Sequence, residues 1–122
     1  MSEILWKAKA LAANVTAAGS YLTLVMPRSD VETAMGEMRK HLKHIEKFKA
    51  KDILRASNTQ LLPETNEDVA AEFKKVAKHT KLHPLILVRR GDKLYIADGY
   101  HRLCAAYYLN KNAEIHALLV NI

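Results

Sequence analysis

Tyr95-Ile96-Ala97-Asp98-Gly99-Tyr100-His101-Arg102-Leu103-Cys104-Ala105-Ala106 changes character twice within twelve residues. Its first residues belong to a β-rich run, Leu94–Ala97; Asp98-Gly99 is a sharp turn; Tyr100–Leu109 has helical composition, and Ile115–Val120 reads as a closing strand. Upstream, Leu85–Arg89 is a second β-rich run, and Arg90-Gly91-Asp92-Lys93 between the two predicts a hairpin with glycine at positive φ. Leu85–Val88 does not alternate, so that strand is expected to be covered on both faces.

Working toward the N-terminus, His83-Pro84 closes a connection, because the residue before proline avoids helical geometry. Val69, Ala70, Phe73, Val76 and Ala77 give a helix its apolar face, with Lys74, Lys75 and Lys78 pointing elsewhere. Residues 57–66 form a loop that caps this helix. Asp52–Ala56 reads as a helical turn and Phe48–Ala50 as a short strand. Val31, Met35, Met38, Leu42 and Ile45 repeat at helical spacing after a Ser29/Glu32 capping box. Residues 3–18 read as a first helix, with Ile4, Ala8, Leu11, Ala12 and Val15 on one face, interrupted by Gly19-Ser20. The fold class expected is α+β: a small mixed sheet with packed helices, preceded by an N-terminal helical extension over residues 1–47.

At 122 residues, with 49% hydrophobic and 26% charged side chains, the chain suits one folded unit. No apolar stretch is long enough to span a bilayer. Met1–Glu3 has no basic region followed by an apolar run, so no secretory leader is expected and the expected address is cytoplasmic. A lone cysteine, Cys104, excludes an internal disulfide framework and cannot build a thiolate metal site by itself. The net charge of +6 favours anionic partners, although the lysines are spread along helices, as simple solubility also requires.

The Asp98 turn carries the chemistry. A strand running through Asp-Gly into a helix gathers free backbone N–H groups at one spot and adds the partial positive charge of the helix dipole. Gly99 permits a sharp turn and close approach of a ligand. His101 can donate one hydrogen bond and Arg102 can grip a phosphate with its fork. Two cationic side chains in the first turn oppose the dipole at about 0.3–1 kcal/mol each, which an anion would offset. Asp98 is also expected to cap the helix. Physical chemistry alone makes this turn an anion cradle.

Leu85–Val88, the run Tyr95–Ala106 and Ile115–Val120, with Lys51-Asp52-Ile53-Leu54 and the helix at Glu67–His79 in order before them, resemble the ParB/sulfiredoxin superfamily over roughly residues 48–122. The resemblance implies that Gly99, Tyr100, His101 and Arg102 form a nucleotide phosphate site, with ATP, ADP or CTP and Mg2+ as ligands. It does not extend to every branch. Sulfiredoxin places its reactive cysteine where this chain has Tyr100, and Cys104, one helical turn on, is expected to be buried rather than reactive. The partition proteins carry a double-arginine turn and a downstream DNA-binding domain, whereas this sequence has Tyr-His-Arg and ends at Ile122. Free-serine kinases use Asp-Gly-His-His-Arg with an upstream glutamate; this chain keeps Asp98, Gly99, His101 and Arg102, which makes Asp98 the candidate catalytic base and Glu64 or Glu67 the candidate upstream acid. Glu67 equally suits a helix first turn.

Three functions follow: a nucleotide-binding domain, a small-molecule phosphotransferase, and a DNA-binding or nuclease-like accessory protein using Lys74, Lys75, Lys78 and Lys81. Those lysines also suit a solvated helix face. Glu37, His41 and His44 are spaced to touch one metal ion but lack a further ligand, so no metal site is expected. His116 is expected to be exposed or satisfied in the core. Tyr107 is expected to pack inward and Tyr100 to cover a base or gate the pocket.

Overall fold

Leu85, Ile86, Leu87 and Val88 are all fully buried, and the reason is their place in the middle of a sheet. The computed structural model describes residues 3–122; Met1 and Ser2, on which part of the leaderless reading rests, lie outside the described residues. Strand β2 (Leu85–Arg90) lies between β3 (Lys93–Asp98), antiparallel to it, and β4 (Glu114–Asn121), parallel to it; β1 (Glu46–Lys49) pairs antiparallel with the far side of β4. The order β1-β4-β2-β3 makes a mixed four-stranded sheet, as the α+β reading expects. Gly91 takes φ +61° in the predicted two-residue hairpin loop.

The period-2 alternation sends neighbouring side chains into two cores. Ile86, Val88, Tyr95, Ala97, Leu118 and Val120 face α1 (Ala12–Leu22) and α2 (Arg28–Lys40). Leu85, Leu87, Ile96, Ile115 and Ala117 face α3 (Ala50–Ser57) and α5 (Tyr100–Leu109). Helix α4 (Glu67–Ala77) lies outside α5, with Val69 against Cys104 and Ala105. Residues before and after position 47 thus share one core. Among the described residues no helix is long and apolar enough to cross a membrane.

Helix α4 is capped as expected, Asn66 Oδ1 accepting from the N–H groups of Asp68 and Val69 at 3.0 and 3.1 Å. Its buried face includes Glu72 while Ala77 is exposed, a departure from the apolar pattern.

Three expectations about the N-terminal third fail, two of them for tertiary reasons. Residues 3–11 are not helical. Their backbone groups are taken up elsewhere: Lys7 N–H donates to Leu82 at 2.8 Å, Leu82 N–H to Leu5 at 2.7 Å, and Ala10 N–H to Leu42 at 2.9 Å. The first helix begins only at Ala12 and runs through Gly19. That glycine is no breaker: a Cβ there would stand 2.5 Å from Met35 Sδ, so its absence lets α1 and α2 approach. The Ser29/Glu32 capping box does not form either. Pro27 precedes the helix, and Glu32 instead pairs with Arg28 at 3.2 Å, one helical turn away.

Candidate anion site at the start of α5

Strand β3 delivers Asp98 to the end of the sheet, and Gly99 at φ +101° redirects the chain into α5. Glycine is required twice over. The conformation is one that side chains resist, and a Cβ would sit 2.7 Å from Leu85 Cγ and 2.8 Å from Arg102 Nη2. The space beside Gly99 is therefore filled by the protein's own side chains, and a ligand must approach from the free N–H end of the helix.

Asp98 does not cap α5; Gly99 holds the N-cap position. The Asp98 carboxylate accepts from Arg102 Nη2 at 3.0 Å and from Asn14 Nδ2 at 3.4 Å. Arg102 is only 9% exposed, and its Nε is buried without a protein partner. It lies behind the turn rather than reaching into solvent, one arm of its fork fixed by Asp98. His101 is half-exposed, with Nε2 3.6 Å from Asp68 Oδ2.

Asp98, Gly99, Tyr100 and His101 line a cleft of about 640 Å³ that runs along β3 between Tyr21 of α1 and the Ser57-Asn58-Thr59 turn after α3. Tyr100 does not gate it freely, because its hydroxyl donates to the Gln60 carbonyl and holds the loop before α4 against α5. Tyr108 does the same at Leu62, 2.7 Å away. Neither Glu64 nor Glu67 lines the cleft. Cys104 is fully buried and burial pushes its thiol pKa up, the opposite of a reactive thiolate.

Other candidate residues lie elsewhere. Lys74, Lys75, Lys78 and Lys81 are exposed, with Lys75 paired to Glu72 at 3.1 Å. His41 and His44 border a separate 320 Å³ cleft with Glu37 and Glu46, and among the described residues no three such side chains are grouped to hold a metal. His116 is half-buried and stacks on Trp6, ring centres 5.3 Å apart.

Sequence reasoning missed Asn14, which donates to Asp98 at the turn, and the buried nitrogen of His83. His83, separated from β2 by Pro84, has its Nδ1 buried without a partner. Burial, then the positive charges of Lys7 and Arg102, lower its pKa, with Asp98 opposing. The only local signal was a histidine preceding a proline and a fully apolar strand; Asn14 gave none.

His83 and His116 set a pH dependence. The pKa of each is lowered, His116 mainly by burial and then by Lys47. Above about pH 7.5, well over the unfolded value, both are neutral folded and unfolded and contribute no slope. As pH falls below that value the unfolded chain binds protons the folded chain resists, so stability declines until the folded pKa values are passed. Urea midpoints at pH 7.5, 6.5 and 5.5 should fall in that order, and His83→Gln should flatten the decline; an unchanged slope in that variant would remove His83 from the account.

No family model, curated protein or solved structure matches this chain.

Proposed function

We propose that this α+β domain binds a nucleotide by its phosphates at the N-terminus of α5. The observation that carries the reading is the cleft itself: its wall is formed by Asp98, Gly99, Tyr100 and His101 at the start of a ten-residue helix, with Arg102 buried behind them. A helix N-terminus attracts phosphate through its free N–H groups and its dipole. The cleft volume is in the range of small-molecule sites, and Tyr21 with Ser57 and Thr59 supplies an aromatic surface and hydroxyls for the rest of the ligand. The resemblance to the ParB/sulfiredoxin superfamily supports the same assignment.

The test is thermal unfolding in ATP, ADP, CTP and GTP, each with and without Mg2+. At about one hundred times Kd, a ligand adds about 2.7 kcal/mol, a shift of several degrees. His101→Ala is the cleaner probe because His101 is half-exposed, and Arg102→Gln is its companion. Stabilisation by at least one nucleotide, reduced in both variants, is expected. No shift with any nucleotide, or an equal shift in both variants, would refute the reading.

A phosphotransferase reading has one observation in its favour: Asp98 is among the residues that line the same cleft. Arg102 and Asn14 already engage that carboxylate, so a base role requires it to keep a free oxygen lone pair toward a substrate hydroxyl. Nucleotide-dependent phosphorylation of small hydroxyl compounds, abolished in Asp98→Asn, separates it from simple binding.

A further inference from the structure

Strand β3 ends the sheet, with β2 on one side and no strand on the other. Its pairing fixes which backbone groups stay free. Arg90 and Lys93 pair across the two-residue hairpin loop and therefore exchange both of their hydrogen bonds; Val88 and Tyr95 are the next such pair. Leu94 and Ile96, which alternate with Lys93 and Tyr95, turn their N–H and C=O groups away from β2. Among the described residues no backbone group from a turn, loop or helix takes them up.

This free edge lies along the 640 Å³ cleft, whose lining includes every residue of β3. The side chains of Tyr95 and Ala97 enter one core and that of Ile96 the other, so what β3 presents to the cleft there is its backbone. Ala17 and Tyr21 of α1, with Val25 just beyond it, form one wall, and the Ser57-Asn58-Thr59 turn forms the other. Tyr95, Ile96 and Ala97 are 8%, 9% and 5% exposed although they belong to an edge strand, so the edge is recessed between those walls.

We propose that β3 accepts an extended peptide as a fifth strand of the sheet, held by main-chain hydrogen bonds to Leu94 and Ile96. An unpaired strand edge is a template for a further chain. The occupant is a peptide and not a second copy of this chain, because in a copy β3 lies at the bottom of the same recess and two such edges cannot meet. Peptide side chains on one side meet Ala17, Tyr21 and Val25 and should be apolar; the alternate ones meet Ser57, Asn58 and Thr59 and should form hydrogen bonds. Exposed Lys93 stands at one end of the cleft, and half-exposed His101 with the N–H groups of α5 at the other. Acidic residues therefore suit both ends of the peptide. The inference goes beyond the nucleotide reading and does not depend on it, although the two ligands use one cleft.

The experiment is amide NMR on the whole isotope-labelled chain. The probe is a seven-residue peptide, blocked at both ends, in which valine and threonine alternate between terminal glutamates. On binding, exchange of the Leu94 and Ile96 amides with solvent should slow tenfold or more. Two forms of the peptide, N-methylated at the odd or at the even positions, should differ, since only one set of N–H groups faces β3: one form loses binding and the other keeps it. A peptide with lysine in place of both glutamates should bind more weakly. Absence of protection at Leu94 and Ile96, equal binding of the two methylated forms, or equal binding of the lysine form overturns the inference. Protection that rises with protein concentration in the absence of peptide assigns the edge to a second copy and overturns it too. Protection by ATP or CTP but not by the peptide overturns it while the nucleotide reading stands. Protection by the peptide with no response to any nucleotide supports it and removes that reading.

Discussion

Gly99→Ala destabilises the protein by about 3 kcal/mol, combining backbone strain of about 1–3 kcal/mol with overpacking of similar size. Two causes act at once. Alanine resists the φ of +101°, and its methyl meets Leu85 Cγ at 2.7 Å and Arg102 Nη2 at 2.8 Å. Leu85 cannot yield easily, because it is fully buried between the sheet and its helices. Relief by moving Arg102 would stretch its 3.0 Å bond to Asp98. Gly91→Ala supplies the internal comparison: φ there is +61°, but nothing lies within 4 Å of the added Cβ. That variant should cost about 1 kcal/mol from conformation alone. Urea unfolding of both separates the terms. If Gly99→Ala costs no more than Gly91→Ala, the close packing of the turn contributes nothing to stability.

Arg102→Ala should cost about 3 kcal/mol and, on the proposed nucleotide reading, should also weaken any stabilisation by nucleotide. The Arg102 and Asp98 side chains are 11% and 20% exposed, so the pair is largely desolvated. Removing the guanidinium leaves a carboxylate with only Asn14, 3.4 Å away, to satisfy it. Breaking one side of a buried pair costs about 3–5 kcal/mol, and the partial exposure of Asp98 places this case at the lower end. The double variant Asp98→Ala/Arg102→Met should recover part of the loss, since no charge is then buried unpaired. A single-variant cost below about 1 kcal/mol would class the pair with ordinary surface ion pairs instead. Comparing stability with nucleotide response in the same variants also distinguishes a structural arginine from a binding one: lost affinity with retained fold is the outcome the binding role requires.

The elements legible in the sequence were those whose cause is local. Leu85–Val88 announces a strand buried on both faces because four consecutive apolar β-formers have no polar side to offer solvent. Gly91-Asp92 announces the hairpin and the polar loop over residues 57–66 a cap for α4, supplied by Asn66, each through chemistry confined to a few residues. The Asp98–Arg102 turn was visible for the same reason, since a strand entering a helix through glycine must leave N–H groups free.

What failed depended on partners distant in sequence. Residues 3–11 have a helical pattern of apolar side chains, yet Leu82 and Leu42 take their backbone groups and hold them extended. Gly19 resembles a helix breaker until Met35 packs over it from the next helix. Asp98 has the chemistry of an N-cap, but a buried guanidinium four residues on, and Asn14 eighty-four residues away, bind its carboxylate more profitably than the helix end does.

The sequence by itself determined the α+β class, the central buried strand, the hairpin and the position of the strand-to-helix turn at Asp98–Arg102, all consequences of side-chain periodicity and backbone freedom within a few residues. Only the tertiary structure decided that Asp98 holds Arg102 rather than capping α5, that Tyr100 anchors a loop, and that Asn14 reaches Asp98 from the first helix. Those outcomes depend on which groups are desolvated together, and burial is set by the packing of the whole chain.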